Sequence, residues 1–152
     1  MGLDFMVYKV KKNSINVEDE DQAWGAVANL EELAYGRKSW ELVQYLNVDV
    51  AQTYSRINKR DWDSLIANIK QIEFLIRRLA EFDYDNLDED EEIDYDALIK
   101  AYAVWHNSVF DRPPYLSYDF SVGYMLNFLD ADAEVQKAFA DEDSEVWGFA
   151  SY

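Results

Sequence analysis

Residues 81–96, EFDYDNLDEDEEIDYD, carry ten carboxylates and no lysine or arginine. Carboxylates at that density suit three tasks: ligation of a hard cation, metal-assisted hydrolysis, and recognition of a cationic surface. Spacing argues against the first. Asp130, Asp132 and Glu134 imitate the opening of a calcium loop, but its sixth position is Val135, where the tight turn needs glycine, and its twelfth is Asp141 rather than glutamate. Asp88, Asp90 and Glu92 lack the same glycine. Helix capping by Asp130 accounts for the former cluster more simply.

His106 is the only histidine and follows Trp105 beside an apolar stripe, with no spaced carboxylates near it in sequence. A Ser-His-Asp constellation would have to be assembled around it from unrelated segments. Gly36-Arg37-Lys38-Ser39 resembles the end of a phosphate-binding loop, but that motif needs lysine directly after glycine and a further glycine where this chain has Glu31. Arg37 and Lys38 are instead expected on an exposed helix face, pairing with Glu41 or Glu32. A second basic group, Arg56, Lys59 and Arg60, is expected before the longest helix, neutralising part of the acidic half. No catalytic residue, metal or cofactor is expected, and the chain reads as a non-enzyme.

Charge is distributed unevenly. Residues 1–78 hold 12 acids against 11 bases, whereas residues 79–152 hold 19 against 3, so nearly all of the net −17 lies in the second half. Self-repulsion at this density opposes folding, so the acidic half is either a solvated face that serves solubility, as charge runs usually are, or the contact surface for a cationic partner. Nucleic acid and anionic membranes are disfavoured as direct ligands, because both are recognised through clustered lysine and arginine. The expected partner is a basic nucleic-acid-binding protein or nuclease complex. Sixteen uncompensated carboxylates match roughly 27 Å of duplex at one charge per about 1.7 Å, which fits a domain with a radius of gyration of roughly 15 Å. Tyr84 and Tyr95 could add ring contacts to the partner's arginines.

Five Trp, eleven Tyr and eight Phe argue for a packed fold rather than disorder. Residues 1–152 are read as a single domain. The absence of cysteine excludes disulfides and thiolate chemistry. The N-terminus carries Asp4 where a signal peptide would be basic, and its apolar run is short, so a cytoplasmic location is expected.

Alternation over Leu3–Val10 predicts a strand ending at Lys11-Lys12-Asn13-Ser14. Glu18–Asn29 is ambiguous. Leu33, Ala34, Trp40, Val43 and Leu46 predict a helix from Leu30 to about Asn47, bent near Gly36. Asp61 is the expected N-cap of one long helix reaching Leu79, with Arg77 and Arg78 in its last turn. A third helix is expected from Asp94 or Asp96 to Asp111-Arg112-Pro113-Pro114, and a fourth from Ser117 to Leu129. Asp130 and Asp132 would open a further short turn through Phe139. Glu145–Tyr152 alternates and should pair with the first strand. The fold class expected is α+β, mainly helical, with about four helices and a small terminal sheet.

The start Met1-Gly2-Leu3-Asp4-Phe5-Met6-Val7-Tyr8, with Leu33-Ala34-Tyr35-Gly36-Arg37-Lys38-Ser39-Trp40-Glu41-Leu42-Val43, resembles small uncharacterised proteins of phages and phage-bearing bacteria. That resemblance covers about residues 1–46 and implies no activity. Size and acidity are separately similar to those of phage-encoded DNA mimics that block restriction or CRISPR nucleases, which share charge rather than sequence. These similarities imply an anti-defence inhibitor. Its expected contact residues are Asp83, Asp85, Asp88, Glu89, Asp90, Glu91, Glu92, Asp94 and Asp96, joined by Asp130, Asp132, Glu134, Asp141, Glu142 and Asp143. The competing expectation is an interaction or housekeeping module that uses apolar surface, as a homodimer through exposed Trp and Tyr.

Overall fold

Strand Asp4–Lys11 (β1) alternates sharply, and its two faces serve two different cores. Phe5 and Val7 enter the main core, whereas Val10 joins Tyr54, Trp147 and Phe149 on the opposite face, packed by Met6, Tyr8 and Leu30. The computed structural model of the protein describes residues 3–13, 30–49, 54–114 and 117–151. Glu18–Asn29, left ambiguous by sequence, lies outside them.

The remaining elements, in chain order, are Leu30–Arg37 (β2), Trp40–Tyr45 (α1), Tyr54–Arg56 (β3), Lys59–Lys70 (α2), Glu73–Glu81 (α3), Glu89–Phe110 (α4), Tyr118–Ala140 (α5) and Ser144–Ser151 (β4). A 3-10 turn, Tyr84–Asn86, precedes α4. The four strands form one antiparallel sheet in the order β2-β1-β4-β3, so the fold is α+β and mainly helical, as expected. The terminal strands pair as expected, from Asp4 opposite Ser151 to Lys11 opposite Ser144. No helix among the described residues is long and apolar enough to cross a membrane.

Five expectations need correction. Leu30–Asn47 is not one bent helix but strand β2 followed by the short α1. Its register against β1 shifts between Val7 and Tyr8, since Val7 faces Ala34 and Tyr8 faces Glu32. This bulge breaks the alternation that would have betrayed a strand. Gly36 is buried there, and a Cβ at that position would come within 2.8 Å of Ser39 Oγ.

The long helix is two helices, interrupted at Gln71 and Ile72, with no proline or glycine to mark the break. Its N-cap is Asn58, which accepts from the Arg60 N–H at 2.9 Å; Asp61 sits in the first turn and accepts from Asn47 Nδ2 at 3.0 Å. Helix α4 starts earlier than expected, because Asp88 caps it through the Glu91 N–H at 2.9 Å. Helix α5 starts after Ser117 as expected but runs unbroken to Ala140, so Asp130 and Asp132 lie within it and cap nothing.

The main core lies between the inner sheet face and the helices. Trp62, Tyr102, Phe5 and Phe128 are its largest fully buried side chains, and the Trp62 and Phe128 rings stack at 5.8 Å.

Candidate functional site

The acidic connection builds its own local structure. Asp83 accepts from the Asp85 N–H at 3.3 Å and from Asn86 Nδ2 at 2.8 Å, closing the 3-10 turn. Asp88 then caps α4, and Glu89, Asp90, Glu91 and Glu92 fill the first turn, where negative charge complements the helix dipole. Two of these carboxylates thus replace missing backbone partners, and four sit where a helix best tolerates them. This offsets part of their mutual repulsion.

All nine carboxylates from Asp83 to Asp96 are exposed. Among the described residues only Asp94 is ion-paired, at 3.3 Å to Arg78. Arg78 also approaches Glu81 at 3.6 Å and lies over the Phe82 ring. Tyr95 is half-buried: its hydroxyl donates to Asp119 at 2.6 Å and its ring meets Phe82 edge-on at 5.5 Å, so it braces α4 against α5. The side chain of Tyr84 lies outside the described residues.

The C-terminal carboxylates do not continue this surface. Helix α3 intervenes, and its Arg77 pairs with Asp130 at 2.8 Å and Glu73 at 2.9 Å. Asp132 is largely enclosed. It accepts from Trp62 Nε1 at 2.8 Å and Gln136 Nε2 at 3.1 Å, with Lys70 at 3.9 Å, and so tethers α2 to α5. Glu134 pairs with Lys137 one turn on. Asp141 organises the turn into β4, accepting from the Asp143 N–H at 2.9 Å and Ser144 Oγ at 2.7 Å, with Lys9 at 3.7 Å. These bonds, the backbone one foremost, hold its carboxyl below the ordinary carboxylate range. Glu142 and Asp143 are exposed on that turn, and Lys9, Lys11, Glu31 and Asp143 line one shallow cleft of mixed charge. The expected contact surface therefore divides into nine carboxylates on one edge and six dispersed ones, four of which are bonded to other side chains of the chain.

Of the expected basic group, Arg56 pairs with Glu145 and lies over the Trp147 ring, and Lys59 pairs with Asp63. Glu41 is not an exposed partner of Arg37 or Lys38. It is buried and faces His106. His106 is fully buried among Tyr102, Trp105 and Phe110, with Nδ1 at 2.7 Å from the Arg112 carbonyl oxygen and Nε2 at 3.5 Å from Glu41 Oε1. Neither group presents surface to a substrate. Nothing in the sequence flagged Glu41, because a glutamate in a first helical turn ordinarily faces water. No cluster of three or more His, Asp or Glu among the described residues is placed to hold a metal ion.

Sequence reasoning also missed the outer side of α4, where Ile93 is 70% and Val104 72% exposed. A signal for it existed: residues 97–110, ALIKAYAVWHNSVF, contain one charged residue, Lys100, which is too few for a helix with a solvated side.

No family model matches the chain, and neither a curated protein nor a solved structure matches it.

Proposed function

We propose that the protein is a non-enzymatic inhibitor that occupies a positively charged site of a nucleic-acid-binding protein, with residues 83–96 as the contact edge. The supporting observation is the exposure of nine carboxylates with a single ion pair among them. Nine charges correspond to roughly 15 Å of duplex, about half the span that the whole acidic half would offer. The target is therefore a short cationic groove rather than a long channel. Phage-type anti-restriction or anti-CRISPR activity in the host cytoplasm is the setting that the sequence resemblance and the charge favour.

The test is retention of host-lysate proteins by the immobilised chain, compared with a variant carrying Asp88→Asn, Glu89→Gln, Asp90→Asn, Glu91→Gln and Glu92→Gln. Asparagine at position 88 keeps the cap, so loss of binding would report charge and not helix fraying. Expected is a nucleic-acid-binding protein held by the parent only, released by moderate salt and displaced by added DNA or RNA. Equal retention by the neutralised variant would overturn the reading.

A further inference from the structure

Among the described residues, helix α4 is covered on one side only. At 3.6 residues per turn, Ile93, Ala97, Lys100 and Val104 fall within about 60° of one another, on the side away from the buried Tyr102 and His106. All four are exposed, as is Ala101 beside them. The line of α4 that points most directly outward is thus apolar from Ile93 to Val104 except for Lys100, and only before Ile93 do carboxylates, Glu89 and Asp90, continue it.

Its pattern is self-complementary. In an antiparallel pair of α4 helices with a two-fold axis between Leu98 and Ile99, Ile93 faces Val104 of the second copy, and Ala97 faces Lys100. The alanines permit close approach. Asp96 lies beside Lys100 of the second copy, and this ion pair occurs twice. The acidic turns of each copy, Glu89 to Asp96, run alongside Ala101 to Ser108 of the other, a stretch without a carboxylate. A parallel pair would instead bring two such acidic stretches together, so charge selects the antiparallel arrangement.

We infer that the outer face of α4 is a homodimer interface in which two copies pack antiparallel through Ile93, Ala97, Lys100, Ala101 and Val104. Two such helices bury less than the roughly 1,200 Å² of a standard stable complex, so the dimer is weak and reversible. Glu91 and Glu92 point away from the contact line, and the two acidic edges emerge at opposite ends of the helix pair, roughly 22 Å apart at 1.5 Å per residue. This inference does not depend on the proposed cationic partner. Dimerisation by apolar contact between chains of like charge strengthens as salt rises, whereas binding of the acidic edge to a cationic partner weakens.

Sedimentation equilibrium of the full chain from about 5 to 500 µM, at low and at high salt, tests it. Expected is a monomer–dimer equilibrium, tightened by salt, that Val104→Glu or Ile93→Glu weakens about tenfold or more while the circular dichroism spectrum is unchanged. Orientation is read by cross-linking, since the chain has no cysteine of its own. Ala97→Cys should link to itself, and a mixture of Ile93→Cys and Val104→Cys should link to each other more readily than Ile93→Cys does to itself. A monomer throughout the range, a dimer that both glutamate variants leave intact, or self-linking of Ile93→Cys in preference to the mixed pair would each overturn the inference.

Discussion

His106 Nε2 stands 3.5 Å from Glu41 Oε1 with the two side chains 0% and 4% exposed. The other ring nitrogen, Nδ1, lies 2.7 Å from the Arg112 carbonyl oxygen, which only accepts, so Nδ1 carries a hydrogen. Nε2 then faces the buried Glu41 carboxyl. The pair joins α1 to the end of α4 and, through Arg112, to the loop that follows. Removing one member strands the other in the core, at a cost of about 3–5 kcal/mol. Replacing both with apolar side chains removes the need for a partner. Urea unfolding of His106→Phe, Glu41→Leu and the double variant should show the double variant less destabilised than the sum of the singles. Simple additivity would mean that the two groups do not interact.

A second pair reports through pH. The Tyr35 hydroxyl donates to Asp4 Oδ1 at 2.6 Å, tying β2 to β1. That hydrogen bond first, then burial and the nearby carboxylate charge, raise the Tyr35 pKa from 10.0 to about 12. The folded chain therefore holds this proton more tightly than the unfolded chain does. The stabilisation is complete below pH 10 and is lost as pH rises through about 12. Burial raises the Tyr102 and Tyr8 phenols in the same direction, so the reading must be a difference between variants. The urea midpoint of the parent should exceed that of Tyr35→Phe by a constant amount up to about pH 10, and the gap should close toward pH 12. A gap that persists unchanged at pH 12 would falsify the assignment of this proton to the Tyr35–Asp4 bond.

Elements whose signals are local were legible before the structure. β1 alternates over eight residues, whereas β4 is buried from Val146 to Ala150 with its side chains divided between the two cores, and both read as strands in need of partners. The Ser117 start of α5 and the end of α4 before Pro113 and Pro114 follow from turn chemistry. What remained hidden was set by distant contacts. The bulge opposite Val7 and Tyr8 concealed β2, and the break at Gln71 and Ile72 lets α2 reach Asp132 through Trp62 while α3 reaches Asp130 through Arg77. The acidic edge itself was visible in sequence, but its limits were not. Asp130 and Asp132 differ from Asp85 or Asp90 in having Arg77 and Trp62 within reach, which the fold alone decides, whereas Glu134 meets Lys137 one turn along the same helix.

The edge also makes a prediction about stability. Asp88 serves α4 by geometry, since its carboxylate accepts from the Glu91 N–H, whereas Asp96 lies beyond the first turn and forms no ion pair among the described residues. Removing the cap with Asp88→Ala should cost about 1 kcal/mol, whereas Asp88→Asn, which retains an accepting oxygen, should cost little. Asp96→Asn removes one charge from a crowded acidic stretch at an exposed position and should leave stability within about 0.5 kcal/mol of the parent or raise it. Urea midpoints of the three variants, measured at low and at high salt, separate the two roles. The Asp88→Ala loss should be nearly independent of salt, because a cap is a short-range bond, and any Asp96→Asn gain should shrink as screening removes the repulsion. If Asp88→Asn were as damaging as Asp88→Ala, charge rather than hydrogen bonding would hold the start of α4. The acidic edge would then be integral to the helix rather than a surface the helix displays.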